Sequence, residues 1–400
     1  EVLSAWGMGP ENVALTAEAM LDCDLRGIGT HGISLLALYE KWREGGNFNL
    51  GADDRVLGDG PGYASIDAQG GLGFPVSARA VDLACEKARE VGVAAVIVNN
   101  SRHFGAAGYY ARRGAEQGMI VLVASSTKVV CVVPPGAGES VLGTNPLAYG
   151  VPRQGTHPIV FDMATSTAAG NKIRLFQLTG EPVPEGWVVD GEGATVTDPE
   201  VAADIVYGNR PGGLTPLGST PQMGAFKGYG LALLGHFLGG TLAGGAFTGA
   251  RGDAAPKGDN IGHFFLALDP EKFRGLTEFH TDLGIVDDTL RATPPVDPDR
   301  PSAPAAGRRG PRGEDRGGAP PDADPTAAAP RGCRRPTGSD RGRAVGAPHA
   351  AAAAAGGARG FRDRGGRARA VAADRDGGAR QLGLPHRRGR GRDAGAGRRG

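Results

Sequence analysis

Residues 74–124 read FPVSARAVDLACEKAREVGVAAVIVNNSRHFGAAGYYARRGAEQGMIVLVA. Val76, Ala80, Leu83, Ala84, Lys87 and Val91 recur at helical spacing, and Gly92 stands where a helix C-terminal cap belongs. Residues 93–98 are a β-branched run, the pattern of a strand covered on both faces. A turn over 101–105 follows, then a helix to residue 117 stopped by Gly118, then a second buried strand over 119–124. This alternation predicts an α/β fold.

Toward the N-terminus, Pro10 and Glu11 suit a first helical turn, and Val13, Ala17, Met20 and Leu21 share one face. That helix should end near Asp24, ahead of Arg26-Gly27 and Thr30-His31-Gly32, with a short helix over 34–43 beyond. Toward the C-terminus, 134–152 is rich in glycine and proline, a strand over 159–161 runs into Asp162, and 180–225 reads as turns. Lys227-Gly228 opens an apolar helix with Leu231, Leu234 and Leu238 on one side. Residues 229–249 are nearly apolar over about a membrane length. His236 and the many glycines there predict a buried helix, so no membrane partner is expected. A strand over 263–268, a turn over 270–273 and a helix over 277–290 complete the pattern.

Four hundred residues suffice for two or three domains, and the net charge of +1 conceals a division. Residues 301–400 hold 22 Arg, no Lys and 9 acidic residues, which leaves residues 1–300 at a net −12. An acidic body argues against nucleic-acid binding and suits a cytoplasmic enzyme. Cys23, Cys85, Cys131 and Cys333 are scattered without a C-x-x-C pair, so they read as reduced thiols, and no secretory signal pattern opens the chain. Residues 301–400 lack Ile, Met, Tyr, Trp, Asn and Lys and hold one Phe, too little apolar surface to offset the entropy of ordering. A GC-rich gene read off frame yields this composition. A natural disordered Arg/Gly/Ala/Pro linker and an RNA-binding tail are the alternatives, the last with one Phe for stacking.

The G-x-G-x-x-G dinucleotide fingerprint, the P-loop and the G-x-S-x-G elbow are missing, and no His/Asp/Glu grouping has metal spacing. Polar residues at element ends remain. His31 follows a helix, and His103 ends a buried strand, where an imidazole is held firmly and can move protons near neutrality. Asp162 closes another strand, and Lys227 stands at a helix N-terminus suited to an anion. Each also has a plain structural explanation: a packed histidine, a turn cap, a solvated charge.

In order, Asp24-Leu25-Arg26-Gly27, Thr30-His31-Gly32, Ser101-Arg102-His103-Phe104-Gly105, Leu142-Gly143-Thr144-Asn145-Pro146 and Asp162-Met163-Ala164-Thr165-Ser166 form a series. Pro216-Leu217-Gly218, Lys227-Gly228-Tyr229-Gly230 and Gly262-His263-Phe264-Phe265 extend it. The series, over about residues 1–295, resembles the type 2 malate/L-lactate dehydrogenase family. The resemblance implies a non-Rossmann α/β fold, working as a homodimer with NAD or NADP to interconvert a small 2-oxo acid and its 2-hydroxy acid. It implies an N-terminal helical domain over 1–70, an α/β NAD(P)-binding domain over 71–225, a helical return segment over 226–295 that completes the first domain, and a low-complexity tail over 296–400. His31 or His103 is the implied proton donor, with Thr30 and Asp162 as orienting partners. The dinucleotide is expected near Thr127, the turn formed by Asp162, Met163, Ala164, Thr165 and Ser166, and Phe226-Lys227. Hydride transfer to a ketone leaves an alkoxide that needs a positioned acid, which agrees with such histidines.

The chain departs from the family in three places. Thr30 replaces the usual Ser and keeps the hydroxyl. Leu35 stands where an Arg is thought to clamp the substrate carboxylate, so either Arg26 or Arg102 is expected to take over, or the substrate is atypical, or activity is weak. From Pro301 on, the closing helical pattern is missing. An inactive or frameshifted relative whose basic tail binds nucleic acid is the alternative function.

Overall fold

The computed structural model describes residues 1–296 apart from 253–254 and 256–258. Expectations for the tail, including disorder, an altered frame and RNA binding, fall from residue 297 on outside the described residues.

Helices α1 (Val2–Ala5), α2 (Pro10–Leu25) and α3 (Leu36–Glu44) precede a hairpin of β1 (Arg55–Gly60) and β2 (Tyr63–Asp67). Then come α4 (Gly73–Val91), β3 (Val93–Ser101), α5 (Ala107–Glu116), β4 (Ile120–Ser125), β5 (Leu147–Val151) and β6 (Ile159–Met163). After α6 (Gly170–Thr179) the chain forms β7 (Val188–Asp190), α7 (Pro199–Val206) and β8 (Gly212–Leu214). It ends in α8 (Ala225–His236), β9 (Ile261–Leu268), α9 (Pro270–Arg274) and α10 (Leu276–Ala292). The predicted stop of α4 is realised: Gly92 has φ +92°, in the left-handed region glycine enters without steric cost.

Two expectations are corrected. Residues 180–225 are not only turns, since they contain α7 and the β7–β8 pair. Asp198 accepts hydrogen bonds from the N–H groups of Glu200 and Val201 with Pro199 at the first helical position, a start signal written plainly in the sequence. The apolar stretch 229–249 is not a uniformly buried helix. It is α8 followed by a π-helical turn, Phe237–Leu242. Its small residues face inward while Leu234, Phe237 and Leu242 are exposed. Gly239 shows why: a Cβ there would lie 2.5 Å from the Ser125 backbone, so glycine lets the helix touch the end of β4. No helix among the described residues is long and apolar enough to cross a membrane.

The main sheet runs β1-β2-β3-β9-β4-β5-β6. Only β2 and β3 pair parallel; every other neighbouring pair is antiparallel. β3 and β4, successive in the helix–strand alternation, are separated by β9, which pairs with both. The register places His263 opposite Val98 on one side and Ser125 on the other. A large core is built from Val96, Val98, Val121, Val123 and Phe265 of the sheet with Phe74, Val81 and Tyr110 of α4 and α5. A second core gathers Ile173, Val188, Ala203, Val206 and Leu214. Cys23, Cys85 and Cys131 are buried and unpaired, and burial pushes each thiol up to about 12.

Candidate active site

His103 follows β3 in a turn fastened to the start of α4. Gly73 donates its N–H to the His103 carbonyl at 3.0 Å, and a Cβ on Gly73 would lie 2.5 Å from the Arg102 carbonyl, so only glycine permits that approach. The His103 ring contacts Phe74 at 6.4 Å and Tyr39 at 6.0 Å between centroids. Its Nδ1 lies 2.6 Å from the Tyr39 hydroxyl. Burial, together with the neighbouring His31 and His263, pushes its pKa down to about 3.

His31 sits in a short 3-10 turn, Gly29–His31. The Asp24 carboxylate shapes this segment by accepting the Ile33 N–H at 2.9 Å, and a Cβ on Gly32 would overlap that carboxylate. The Thr30 hydroxyl lies 2.9 Å from His31 Nδ1. The two histidines, 72 positions apart in sequence, stack with centroids 5.7 Å apart and ring planes 26° apart. Burial also lowers the His31 pKa.

A third histidine braces the floor. His263 on β9 is fully buried, with Nδ1 2.8 Å from the Ser125 hydroxyl and Nε2 3.0 Å from the Ser101 hydroxyl. It stacks on Phe104 at 4.3 Å, next to His103 in the chain. Both ring nitrogens are used, and burial pushes its pKa down to about 3. His263 stood in the motif series without a role; its strand alternation alone does not reveal the two serines it joins.

Asp162 lies on β6, and its carboxylate accepts the Gly108 N–H at 2.8 Å, in the first turn of α5. A Cβ on Gly108 would press on Asp162 at 2.9 Å, so glycine sets this contact. Asp162 as a residue is exposed, but its carboxyl is crowded by protein, and that loss of solvent pushes it up to about 6 against the lowering by the Gly108 N–H. No hydrogen bond joins Asp162 to either stacked histidine among the described residues; Thr30 and Tyr39 are their partners.

The remaining candidates converge on one framework. The Thr127 hydroxyl donates to the Asn145 side chain at 3.2 Å, and Asn145 donates to the Ala232 carbonyl of α8 at 3.1 Å. Asn145 itself has φ +29° and is buried. Thr165 donates from its backbone N–H to the Thr144 carbonyl, accepts the Leu217 N–H, and Leu217 in turn accepts the Gly228 N–H. The turn after β6 is thereby laced to the start of α8. The Thr165 and Ser166 hydroxyls are buried and donate to backbone carbonyls, so they shape the turn from inside. Met163 and Ala164 are partly accessible. Phe226 and Lys227 are exposed at the first turn of α8, with the Lys227 ammonium 5.9 Å from the Phe226 ring centroid. No carboxylate among the described residues pairs with Lys227. An unpaired cation at a helix N-terminus, beside a glycine-supported turn, fits an anionic dinucleotide.

Leu35 packs partly buried against the main core and offers no charge. Arg26 is paired with Asp22 at 2.9 Å. Arg102 donates from Nε to the Asn47 carbonyl at 2.8 Å and from an Nη to the Ser101 carbonyl at 3.0 Å. No carboxylate among the described residues forms an ion pair with it.

Comparison with known proteins identifies the family. The family profile described as malate/L-lactate dehydrogenase matches residues 1–316. The chain belongs to that family. The malate dehydrogenase of Pyrococcus horikoshii is 38% identical over 279 residues, 70% of this chain and 75% of that protein. The (2R)-3-sulfolactate dehydrogenase (NADP(+)) of Chromohalobacter salexigens is 36% identical over 274 residues, 68% of this chain and 78% of the relative. The solved structure of the Pyrococcus horikoshii malate dehydrogenase superposes with a TM-score of 0.66 at 33% identity, covering 77% of this chain and 83% of that one. The mixed sheet with β9 at its centre is therefore the α/β fold of this family, which explains the missing glycine fingerprint.

Proposed function

We propose that the chain is an NAD(P)-dependent oxidoreductase that interconverts a small 2-oxo acid and its 2-hydroxy acid. The observation that carries this is the stacked pair of His31 and His103, 5.7 Å apart, in a member of this dehydrogenase family. When bound, the nicotinamide supplies the hydride. The chain's own residues hold the substrate and move the proton: His31 and His103 face the oxo group, Thr30 orients His31, and Asp162 fixes the start of α5 beside the site. Arg102 replaces the missing Arg at Leu35 and takes the substrate carboxylate. Thr127, the backbone of the Asp162, Met163, Ala164, Thr165 and Ser166 turn, Phe226 and Lys227 line the cofactor site, Lys227 meeting the pyrophosphate. NADP stands in the name of one relative. The working form is a cytoplasmic homodimer, a reading supported by exposed apolar side chains such as Phe237 and Leu242.

The test is the purified chain with NADH or NADPH and a panel of 2-oxo acids bearing a methyl, carboxymethyl or sulfomethyl group. Loss of reduced-cofactor absorbance with at least one of them is expected. Silence across the panel with both cofactors would overturn the assignment.

A further inference from the structure

Nδ1 of His103 has two polar neighbours, the Tyr39 hydroxyl at 2.6 Å and the Gly105 N–H at 3.4 Å. The Gly105 N–H can only donate. A proton on Nδ1 would set two N–H groups against each other in a packed site. Nδ1 is therefore the lone-pair nitrogen, the Tyr39 O–H donates to it, and the neutral ring carries its proton on Nε2. Tyr39 cannot easily swing away: it is fully buried, with Trp42, Phe48 and Phe74 around its ring.

His31 has more freedom. Its Nδ1 partner is the hydroxyl of Thr30, on an exposed turn. A hydroxyl rotor can donate to a neutral imidazole or accept from a charged one. The titratable groups facing His103 are His31, Tyr39 of α3 and His263 of β9, and no carboxylate among the described residues is hydrogen-bonded to it. Burial lowers the pKa of both rings, and what separates them is geometry: His103 Nδ1 is held between the packed Tyr39 hydroxyl and the Gly105 N–H, whereas the Thr30 rotor on an exposed turn can accept from a charged His31.

We infer that Tyr39 is a positioning residue that locks His103 as the Nε2–H tautomer, making His103 a neutral hydrogen-bond donor to the substrate oxygen and leaving His31 to deliver the proton. The inference rests on the 2-oxo acid reading above. In reduction, a bound reduced nicotinamide would supply the hydride to the carbonyl carbon and be left oxidised. The π pair moves to oxygen while His103 keeps its proton and holds that oxygen. The His31 imidazolium then gives its proton to the oxygen, becomes neutral, and regains a proton from solvent through the exposed turn. Oxidation runs the same transfers backwards.

The experiment labels the histidines of the full chain with 15N and reads two-bond proton–nitrogen correlations from pH 5 to 8, without cofactor. His103 is expected to show a protonated Nε2, a bare Nδ1 and no titration in that window. In Tyr39→Phe the signal should acquire the second tautomer or begin to titrate, while the His263 pattern stays fixed as a control for folding. A protonated Nδ1 in the wild type, or an unchanged His103 in Tyr39→Phe, defeats the lock. In turnover, Tyr39→Phe should lower kcat by roughly 10-fold, about the worth of one hydrogen bond, with KM little changed. His31→Gln should remove the ionisation that limits reduction at high pH, and its persistence would transfer the proton to another group. Should no 2-oxo acid turn over, the roles toward substrate fall, and the tautomer lock is judged by the nitrogen spectra alone.

Discussion

Arg102 stands beside His103 in the chain, and its guanidinium is hydrogen-bonded to two carbonyls, with the Asp259 carboxylate near enough to act on its charge but in no ion pair with it among the described residues. A buried carboxylate pair would have silenced it; carbonyls orient it and leave the charge available. Arg102→Gln is expected to raise KM for a 2-oxo acid by roughly 10- to 100-fold, the loss of one charge-assisted contact, with kcat less affected. Initial rates across substrate concentration check it. A second expectation concerns pH. His103 and His263 are held near 3 in the folded chain, while unfolded histidines titrate near 6.5, so the folded state binds fewer protons below that value. Their contribution to stability is complete above about 6.5 and is lost as pH falls from there toward 3. Asp162 has the opposite sign: raised to about 6, it favours the folded state as pH falls through 6 toward its unfolded value. His31, also lowered by burial, adds to these two histidines against the one carboxyl, so unfolding at pH 5 should take up protons on balance. Calorimetry in buffers of different ionisation heat measures this, and net release would contradict it. At this scale the two histidines were legible because glycines and hydroxyls flank them in recognisable motifs. Tyr39 was not, since a tyrosine on a helix reads as core and its partner lies 64 positions away.

The start of α8 hangs on the turn after β6 through Thr165, Leu217 and Gly228. A Cβ on Gly228 would lie 2.2 Å from the Leu217 carbonyl, an overlap with backbone that no side-chain rotation relieves. Gly228→Ala should therefore weaken NAD(P)H binding, read by nicotinamide fluorescence, by displacing Lys227 from the turn. Unaltered affinity would place the cofactor elsewhere. The elements that the sequence announced include α2, α3, β6, α8, β9 and α10, and most plainly α4, β3, α5 and β4, whose sheet is covered on both faces. Those it hid have identifiable reasons. β1 is an exposed edge strand with two glycines and a register shift, so hydrophobic alternation never develops. β5 lies in a stretch whose glycines and prolines suggest loop, yet Gly150 is there because a Cβ would fall 2.1 Å from the Ala111 carbonyl of α5. Helix–sheet proximity demanded a residue that local propensity disfavours in a strand.

For the whole molecule the telling feature is β9. The helix–strand alternation of residues 74–124 makes β3 and β4 successive, and nothing local shows that a strand beginning at Ile261 lies between them. The order of strands is a long-range property, visible in sequence only through the family motif around His263. A chain ending at residue 258 is expected to lose the cooperative unfolding transition altogether, because β3 and β4 would each keep an unpaired edge through the main core. Circular dichroism against denaturant tests this, and a sharp transition in the shortened chain would show that the two halves of the sheet hold independently. The same insertion sets a problem for biosynthesis. Some 136 residues separate Ser125 from Ile261, and ribosomes add roughly 5–20 residues per second. Two apolar strand edges must therefore wait, on the order of 10 s, for the segment that joins them. During that interval the nascent chain has the surface that chaperones bind and that neighbouring chains can capture, so its yield in a cell should depend on what guards it before translation is complete.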